Sequence, residues 1–325
     1  MRARLEFAQA IRDTLAAEMR RDDRVVLLGH EVGALGGLFR VTEGLIDEFG
    51  EQRVVDMPLD EGGVIGAAVG MALYGLKPVP EIQLADFAFP AFDQVISEIA
   101  KFRYRSGGQY PCPVVIRVPY GGGVGGGVYH SQSPEAHFAH TPGLVVAAPS
   151  TPADAVGMLR TAIRGDDPVV FMEPKALYRG VPGDPPDEDF IVPFGVAECV
   201  REGTDVTVIA YGAMLHAARR AADEAAALGI EVELLDLRTL VPFDIGAVLQ
   251  SVAKTGRAVL VQEAPRSCGY TAEIAAVLAE KALFHLQAPV LRVAGYDTPF
   301  PYALERAYMP DNDRVLAAIQ RAASF

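Results

Sequence analysis

Residues 53–82 read RVVDMPLDEGGVIGAAVGMALYGLKPVPEI. The segment opens with "RVVDM" (53–57), a short β-branched run that reads as a strand, and closes with "KPVPEI" (77–82), read as another. Between them "GGVIGAAVGMALYG" (62–75) is apolar, long enough for three turns and built of small residues, which predicts a helix. Strand, helix and strand in this order form a crossover unit, and crossover units build parallel sheets covered on both faces.

The same alternation runs outward in both directions. Upstream, Phe7, Ile11, Leu15 and Met19 recur at helical spacing, and "RVVLLG" (24–29) is a strand. Downstream, an apolar stripe through Phe89, Phe92, Val95, Ile96 and Ile99 predicts a helix over 88–105. "PVVIRV" (113–118), "LVVAA" (144–148) and "PVVFM" (168–172) are strands, with a helix over 151–164 that carries Pro152 near its start. Composition then changes. "YRGVPGDPPDEDFIVPFG" (178–195) has four prolines and four acidic residues, which predicts a linker. After it come "DVTVIAYG", a helix at 213–228, "IEVELLDL", a helix at 244–253, "RAVLVQE", a helix at about 270–283 and "PVLRVAGYD". The expected fold class is α/β in two domains: residues 1–180, a linker at 181–193, and a smaller unit at 194–325.

Bulk composition narrows the function. The 325 residues carry a formal charge of −13, with a pI near 4.9 and no basic run, which disfavours nucleic acid and anionic membranes. Cys112, Cys199 and Cys268 form no CxxC pair and are odd in number, so neither a disulfide framework nor a zinc knuckle is expected, and a reducing cytoplasm is. The N-terminal segment is interrupted by charge and lacks a signal-peptide core, and no run is apolar enough to span a bilayer.

Three places could carry chemistry. "PYGGGVGGGVYHSQSPEAHFAH" (119–140) has six glycines in seven positions, followed by His130, His137 and His140. A phosphate loop would need Lys-Ser/Thr before a helix, where this chain has Val128, Tyr129 and His130. A dinucleotide fingerprint belongs after the first strand, and "GHEVGALGG" (29–37) supplies none. What remains is a mobile surface loop or a close-approach loop at an active site. The spacing H-x6-H-x2-H lacks the tighter pairs of a zinc site. His130, beyond a strand's carboxyl end, stands where open α/β sheets bind ligands and could donate or accept a proton. In "DMPLDEGG" (56–63), Asp60 and Glu61 suit a helix N-terminus, where acidic residues complement the macrodipole. The following helix, with Gly62, Gly63, Gly66 and Gly70, also invites close packing by a partner. "PEIQLADFAFPAFDQ" (80–94) carries Gln83, Asp86 and an aromatic cluster, in a core turn or in a site.

Taken in order, these segments resemble one family over essentially the whole chain. "GGLFRVTEGL", "DMPLDE", "PEIQLADFAFPAFDQVISEIAKFRYRSGG", "YHSQSPEAHFAH", "STPADAVGMLRTAIRGDDPVVFMEPKALYR", "ELLDLRTLVPFD", "KTGRAVLVQEAP" and "GYDTPFPY" are similar to the β subunit of the thiamine-diphosphate-dependent decarboxylating component of 2-oxo acid dehydrogenase complexes. "IQLADF" and "HSQSPEA" bring it closest to the branched-chain 2-oxo acid type, with pyruvate and acetoin types as alternatives. A non-catalytic scaffold or binding homologue is the alternative from another class.

The resemblance implies a pyrimidine-binding domain followed by a transketolase C-terminal-like domain. It implies thiamine diphosphate with Mg2+, the diphosphate and metal being held by an α subunit through a GDG…N motif that this chain lacks; "RGDDP" (164–168) is not one. The implied partners are that α subunit, in an assembly of two α and two β chains, and a lipoyl-bearing acyltransferase. Glu61 matches the glutamate that hydrogen-bonds N1′ of the aminopyrimidine. His130 matches a histidine implicated in passing the acyl group to lipoyl. Phe87 matches an aromatic position against the pyrimidine, commonly Tyr, with Leu59 and Gln83 beside it. A structural monovalent cation, K+, is implied at Cys112, Val114, Val115, Ala162, Gly165 and Asp167, although a threonine and an aspartate of the pattern are here Val115 and Gly165. His30 stands in "GHEVG" (29–33) where the family has an acid.

Overall fold

The computed structural model describes residues 4–325. Two α/β domains are built on two sheets. The first sheet joins β1 (Val25–Gly29), β2 (Val54–Asp56), β3 (Lys77–Glu81), β4 (Val115–Tyr120), β5 (Val145–Ala147) and β6 (Val169–Pro174), all parallel. The second joins β7 (Glu198–Arg201), β8 (Val206–Ala210), β9 (Val232–Asp236), β11 (Ala258–Pro265) and β12 (Leu291–Gly295), in the order β12-β11-β8-β9-β7. β7 is an antiparallel edge, and the rest are parallel. A short strand, β10 (Thr239–Val241), lies beyond the proline-rich segment, yet it pairs antiparallel with β5 and gives the first sheet its seventh strand. That sheet has the order β10-β5-β6-β4-β3-β1-β2.

β1, β3, β4 and β6 are buried along their whole length; β1 is wholly apolar, while β3, β4 and β6 each bury a charged side chain. One face is covered by the helices Phe7–Arg21 and Pro152–Arg164, whose Phe7, Ile11, Leu15, Met158 and Leu159 share one core with Phe171 of β6. The opposite face is covered by the helix Glu61–Leu73. Its Ile65 and Ala68 belong to a core that runs on into Ile209, Tyr211, Leu235 and Tyr270 of the second unit, so the two domains share apolar packing. A third core lies under the helices Met214–Ala227 and Asn312–Ala323. Among the described residues, no helix is long and apolar enough to cross a membrane.

One expectation changes. The single helix expected over 88–105 is a 3-10 turn at Phe89–Ala91, a π-helix at Gln94–Ile99 and an α-helix at Ala100–Arg105. Pro90 has no N–H to give an interior turn, so the regular helix cannot begin before it. Val95, Ile99 and Ala100 still reach the core. The proline-rich segment is extended but not free. Val192 is buried, Arg160 donates to the carbonyls of Asp187 and Phe190, and Leu5 and Gly183 exchange backbone hydrogen bonds.

Within the first sheet, neighbouring strands bring three charges together. Arg117 of β4 donates to Glu81 of β3 at 2.6 Å and to both oxygens of Glu173 of β6 at 2.7 and 2.9 Å. Tyr178 donates its hydroxyl to Glu173 at 2.5 Å, and the guanidinium is fully buried. Burial pushes the Glu81 carboxyl upward despite the facing guanidinium. Removing one partner from such a set leaves uncompensated buried charge. Arg117→Met is therefore expected to cost about 3–5 kcal/mol of stability, read as a fall in the urea midpoint; an unchanged midpoint would show the triad to be dispensable.

Candidate active site

The parallel strands β2, β1, β3 and β4 are adjacent, so their carboxyl ends share one edge. Each end feeds a loop carrying sequence-predicted residues. After β1 come His30 and Glu31; after β2, Leu59 and Glu61; after β3, Gln83 and Phe87; after β4, the glycine run and His130. A crevice outside such an edge is the usual ligand position of open α/β sheets.

Glu61 opens its helix. Asp60 caps it, accepting the backbone N–H of Gly63 at 3.0 Å, which leaves the half-buried Glu61 carboxyl without a capping role. Leu59, before the cap, is 67% exposed. Gln83 donates its amide to the carbonyl of His30 at 3.3 Å. The Nδ1 of His30 is buried without a hydrogen-bond partner, 3.9 Å from the Glu31 carboxylate. The rings of Phe87 and His130 meet edge to face, with centroids 5.5 Å apart. The structure therefore brings His30 to Gln83 and Phe87 to His130.

The glycine run is anchored rather than loose. The N–H groups of Gly123 and Gly125 donate to Glu305 at 2.6 and 3.1 Å, and that of Gly122 donates to Glu263. Ser133 also donates to Glu263, at 3.3 Å, and the N–H of Gln132 to Asp86, at 3.3 Å. Gly121 has φ +83°, and a Cβ there would meet Glu263 at 2.8 Å, so both conformation and space require glycine. Glu263 and Glu305 belong to the second domain. The loop is therefore a seam between the domains, with carboxylates held by backbone amides.

The three histidines do not converge on a metal. His137 lies edge-on to Phe89 and Phe92, at 5.5 and 6.3 Å, and His140 is exposed at the end of its short helix. Among the described residues, the one cluster of three metal-capable side chains is Cys199, Glu202 and Glu233, and both carboxylates there already pair with Lys254. The expected monovalent-cation set is also engaged by the protein itself. The carbonyls of Cys112, Val114 and Ala162 accept the N–H groups of Val114, Val169 and Gly165, and Asp167 pairs with Arg103. The ammonium of Lys77 donates to the carbonyls of Ile163, Arg164 and Gly165 at 2.9, 3.1 and 3.1 Å, so the positive charge at this helix end is a lysine's. With side-chain oxygens missing at Val115 and Gly165, these residues do not fit a bare cation.

For the pyrimidine of thiamine diphosphate the fit is better. A half-buried carboxyl, an amide, an unpartnered imidazole nitrogen, an exposed leucine and an aromatic ring lie along one edge. Glu61, Leu59, Gln83 and Phe87 bring no positive charge to meet a diphosphate. Two cavities, of about 540 and 520 Å3, have other linings, the first around Gly33, Arg40 and Glu43 and the second around Asp154, Cys199 and Arg238.

The comparisons bear on this geometry. The family described as transketolase, pyrimidine binding domain, matches residues 3–181, and transketolase, C-terminal domain, matches residues 195–315. The 2-oxoisovalerate dehydrogenase subunit beta of Bacillus subtilis is 46% identical, over 99% of each chain. The mitochondrial one of Dictyostelium discoideum is 48% identical, over 98% of this chain and 86% of its own. The pyruvate dehydrogenase E1 component subunit beta of Bacillus subtilis is 46% identical, over 99% of this chain and 100% of its own. This chain belongs to the family of thiamine-diphosphate-dependent 2-oxo acid dehydrogenase β subunits. A solved structure titled "Split gene transketolase, inactive beta4 tetramer" shares the fold of this β-subunit relative, with TM-score 0.81, 23% identity and 99% of both chains covered.

Reading by sequence alone passed over several titratable groups at this seam. Glu135 is buried, accepts the Tyr211 hydroxyl at 2.6 Å and has its other oxygen unpartnered. Lys175 follows β6, and Glu263 lies near the end of β11. Their positions at strand carboxyl ends were the available signal. Burial, offset in part by the Tyr211 hydroxyl, raises Glu135 to about 7 from an ordinary 4.5. Below 4.5 both folded and unfolded chains hold this proton. Between 4.5 and 7 only the folded chain does, so the fold loses stability as pH rises through that window. The expected loss is about 3 kcal/mol, and Glu135→Gln should abolish it. Thermal unfolding of both proteins at pH 5 and pH 8 checks this, since a difference between them that does not grow with pH would contradict it.

Proposed function

We propose that this chain is the β half of a branched-chain 2-oxo acid dehydrogenase, working in the cytoplasm with an α subunit and acylating a lipoyl group on an acyltransferase. The reading is carried by the full-length match joined to the placement of Glu61 and His130 along one strand-end edge. The motifs "IQLADF" and "HSQSPEA" favour branched-chain acids; relatives named for pyruvate are equally similar overall, so overall identity does not separate the two.

Thiamine diphosphate, when bound, supplies the electron sink that lets a 2-oxo acid lose carbon dioxide. This chain's residues do the holding and the proton handling. Glu61 shares a proton with N1′ of the aminopyrimidine through its carboxyl. Phe87 and Leu59 pack the ring, and Gln83 fixes its polar edge. His130 gives a proton to the lipoyl sulfur as the acyl group is transferred. The diphosphate and Mg2+ fall to the α subunit, in keeping with the lack of positive charge among the residues named. No potassium ion is assigned, because Lys77 serves that helix end. The scaffold alternative is disfavoured because Glu61 and His130 are both retained in loops leaving one strand-end edge.

Expression with an α subunit, followed by assay against branched-chain 2-oxo acids, pyruvate and 2-oxoglutarate, tests the substrate. Branched-chain acids are expected to give the highest kcat/KM, and the β chain alone no turnover. In the assembled enzyme Glu61→Ala should abolish decarboxylation measured with an artificial electron acceptor; wild-type rates would refute the assignment. His130→Ala should reduce lipoyl acylation by about a hundredfold and decarboxylation far less. Equal losses in both half-reactions would remove its role.

A further inference from the structure

Lys175 follows β6 directly. Sheet register pairs Pro174 of β6 with Tyr120 of β4, so Lys175 emerges beside Gly121, at the start of the glycine run. The neighbouring Ala176 touches the same loop, where a Cβ on Gly123 would lie 2.9 Å from its methyl. The Lys175 side chain is 3% exposed, and its Nζ has no hydrogen-bond partner. A buried, unpaired ammonium is expensive, so the fold must compensate it electrostatically. The carboxylates of Glu263, Asp86 and Glu305 favour its charge through space, without a direct hydrogen bond to it.

The same three carboxylates hold the loop that bears His130. Glu263 accepts from Gly122 and Ser133, Glu305 from Gly123 and Gly125, and Asp86 from Gln132. Both flanks of residues 126–131 are thus tied to anions that would repel one another without a cation among them. We propose that Lys175 is a positioning residue for His130, its buried ammonium beside the start of the glycine run holding Glu263, Glu305 and Asp86 in place as acceptors for the loop's backbone amides. It acts through those carboxylates and need not touch substrate. Burial lowers the lysine to about 8, while the surrounding carboxylates oppose that fall. Burial likewise raises Glu263, and the Gly122 amide and Lys175 oppose the rise. Each charge therefore depends on the other. The proposal rests on the reading of His130 given above.

The test uses the assembled αβ enzyme and the variants Lys175→Met and Lys175→Arg, with His130→Ala as the comparison. In Lys175→Met, amide hydrogen exchange over residues 121–133 should rise about tenfold. Lipoyl-domain acylation should lose about tenfold or more in kcat, with little change in KM for the lipoyl domain. Decarboxylation with an artificial acceptor should change far less, and Lys175→Arg should restore both exchange protection and acylation. Unchanged exchange over 121–133, or failure of arginine to rescue, overturns the proposal. If Lys175→Met does not assemble, Lys175→Gln, also neutral but better suited to polar surroundings, carries the same exchange measurement, and unchanged exchange over 121–133 there overturns it too. Equal losses in the two half-reactions of His130→Ala would sink the reading of His130, whereas the exchange rates decide what Lys175 holds.

Discussion

Carboxylates from one domain accept backbone N–H groups from a glycine run in the other. Glycine-rich backbones elsewhere gather their amides around a bound anion. Here the anions are the chain's own Glu263 and Glu305, so the run is satisfied before any ligand arrives. The contact does two things at once. It closes the seam between the domains, and it sets where the backbone emerges toward His130 and hence the approach of that ring to Phe87. The strand ends, the helix cap at Asp60 and the Gln83 contact arrange the remaining side chains around that point. Charge–amide hydrogen bonds are stronger than neutral ones, and burial of Glu263 strengthens its share.

Much of the architecture was legible in the sequence because periodicity reports burial. Strands β1, β4 and β6 read as largely apolar runs because both their faces are covered, and the helix Pro152–Arg164 announced itself through Pro152 near its start. What periodicity missed has a common cause. The apolar stripe over 88–105 records which side chains reach the core and is silent on the backbone's turn-to-turn pitch, so a π-helix reads as an ordinary helix. Proline and acid content mark 178–195 as a linker, but composition cannot report that Val192 within it is buried or that Arg160 reaches two of its carbonyls. β10 is three residues long and pairs across the domains, and no local pattern encodes a partner about ninety positions away in sequence.

The site divides along similar lines. Glu61, Gln83, Phe87 and His130 were singled out through motifs, and the loops that carry them leave one strand-end edge. Lys175, Glu263, Glu305 and Glu135 carry no motif of their own. They matter through burial and through one another, which are properties of the packed chain. The expected cation positions show the same limit. Six positions matched in order, but the lysine that reaches their helix end comes from β3, some ninety residues upstream.

The pairing of β10 with β5 also bears on how the chain is made. During synthesis, the last strand of the first sheet cannot be supplied until residues 239–241 have left the ribosome, by which time β1 to β6 and most of β9's surroundings already exist. Until then β5 presents an open row of amides and carbonyls to whatever is nearby, including another nascent copy. The N-terminal domain expressed by itself would keep that edge bare permanently, so a truncation ending before residue 239 should be the form of this protein most prone to sticking to itself.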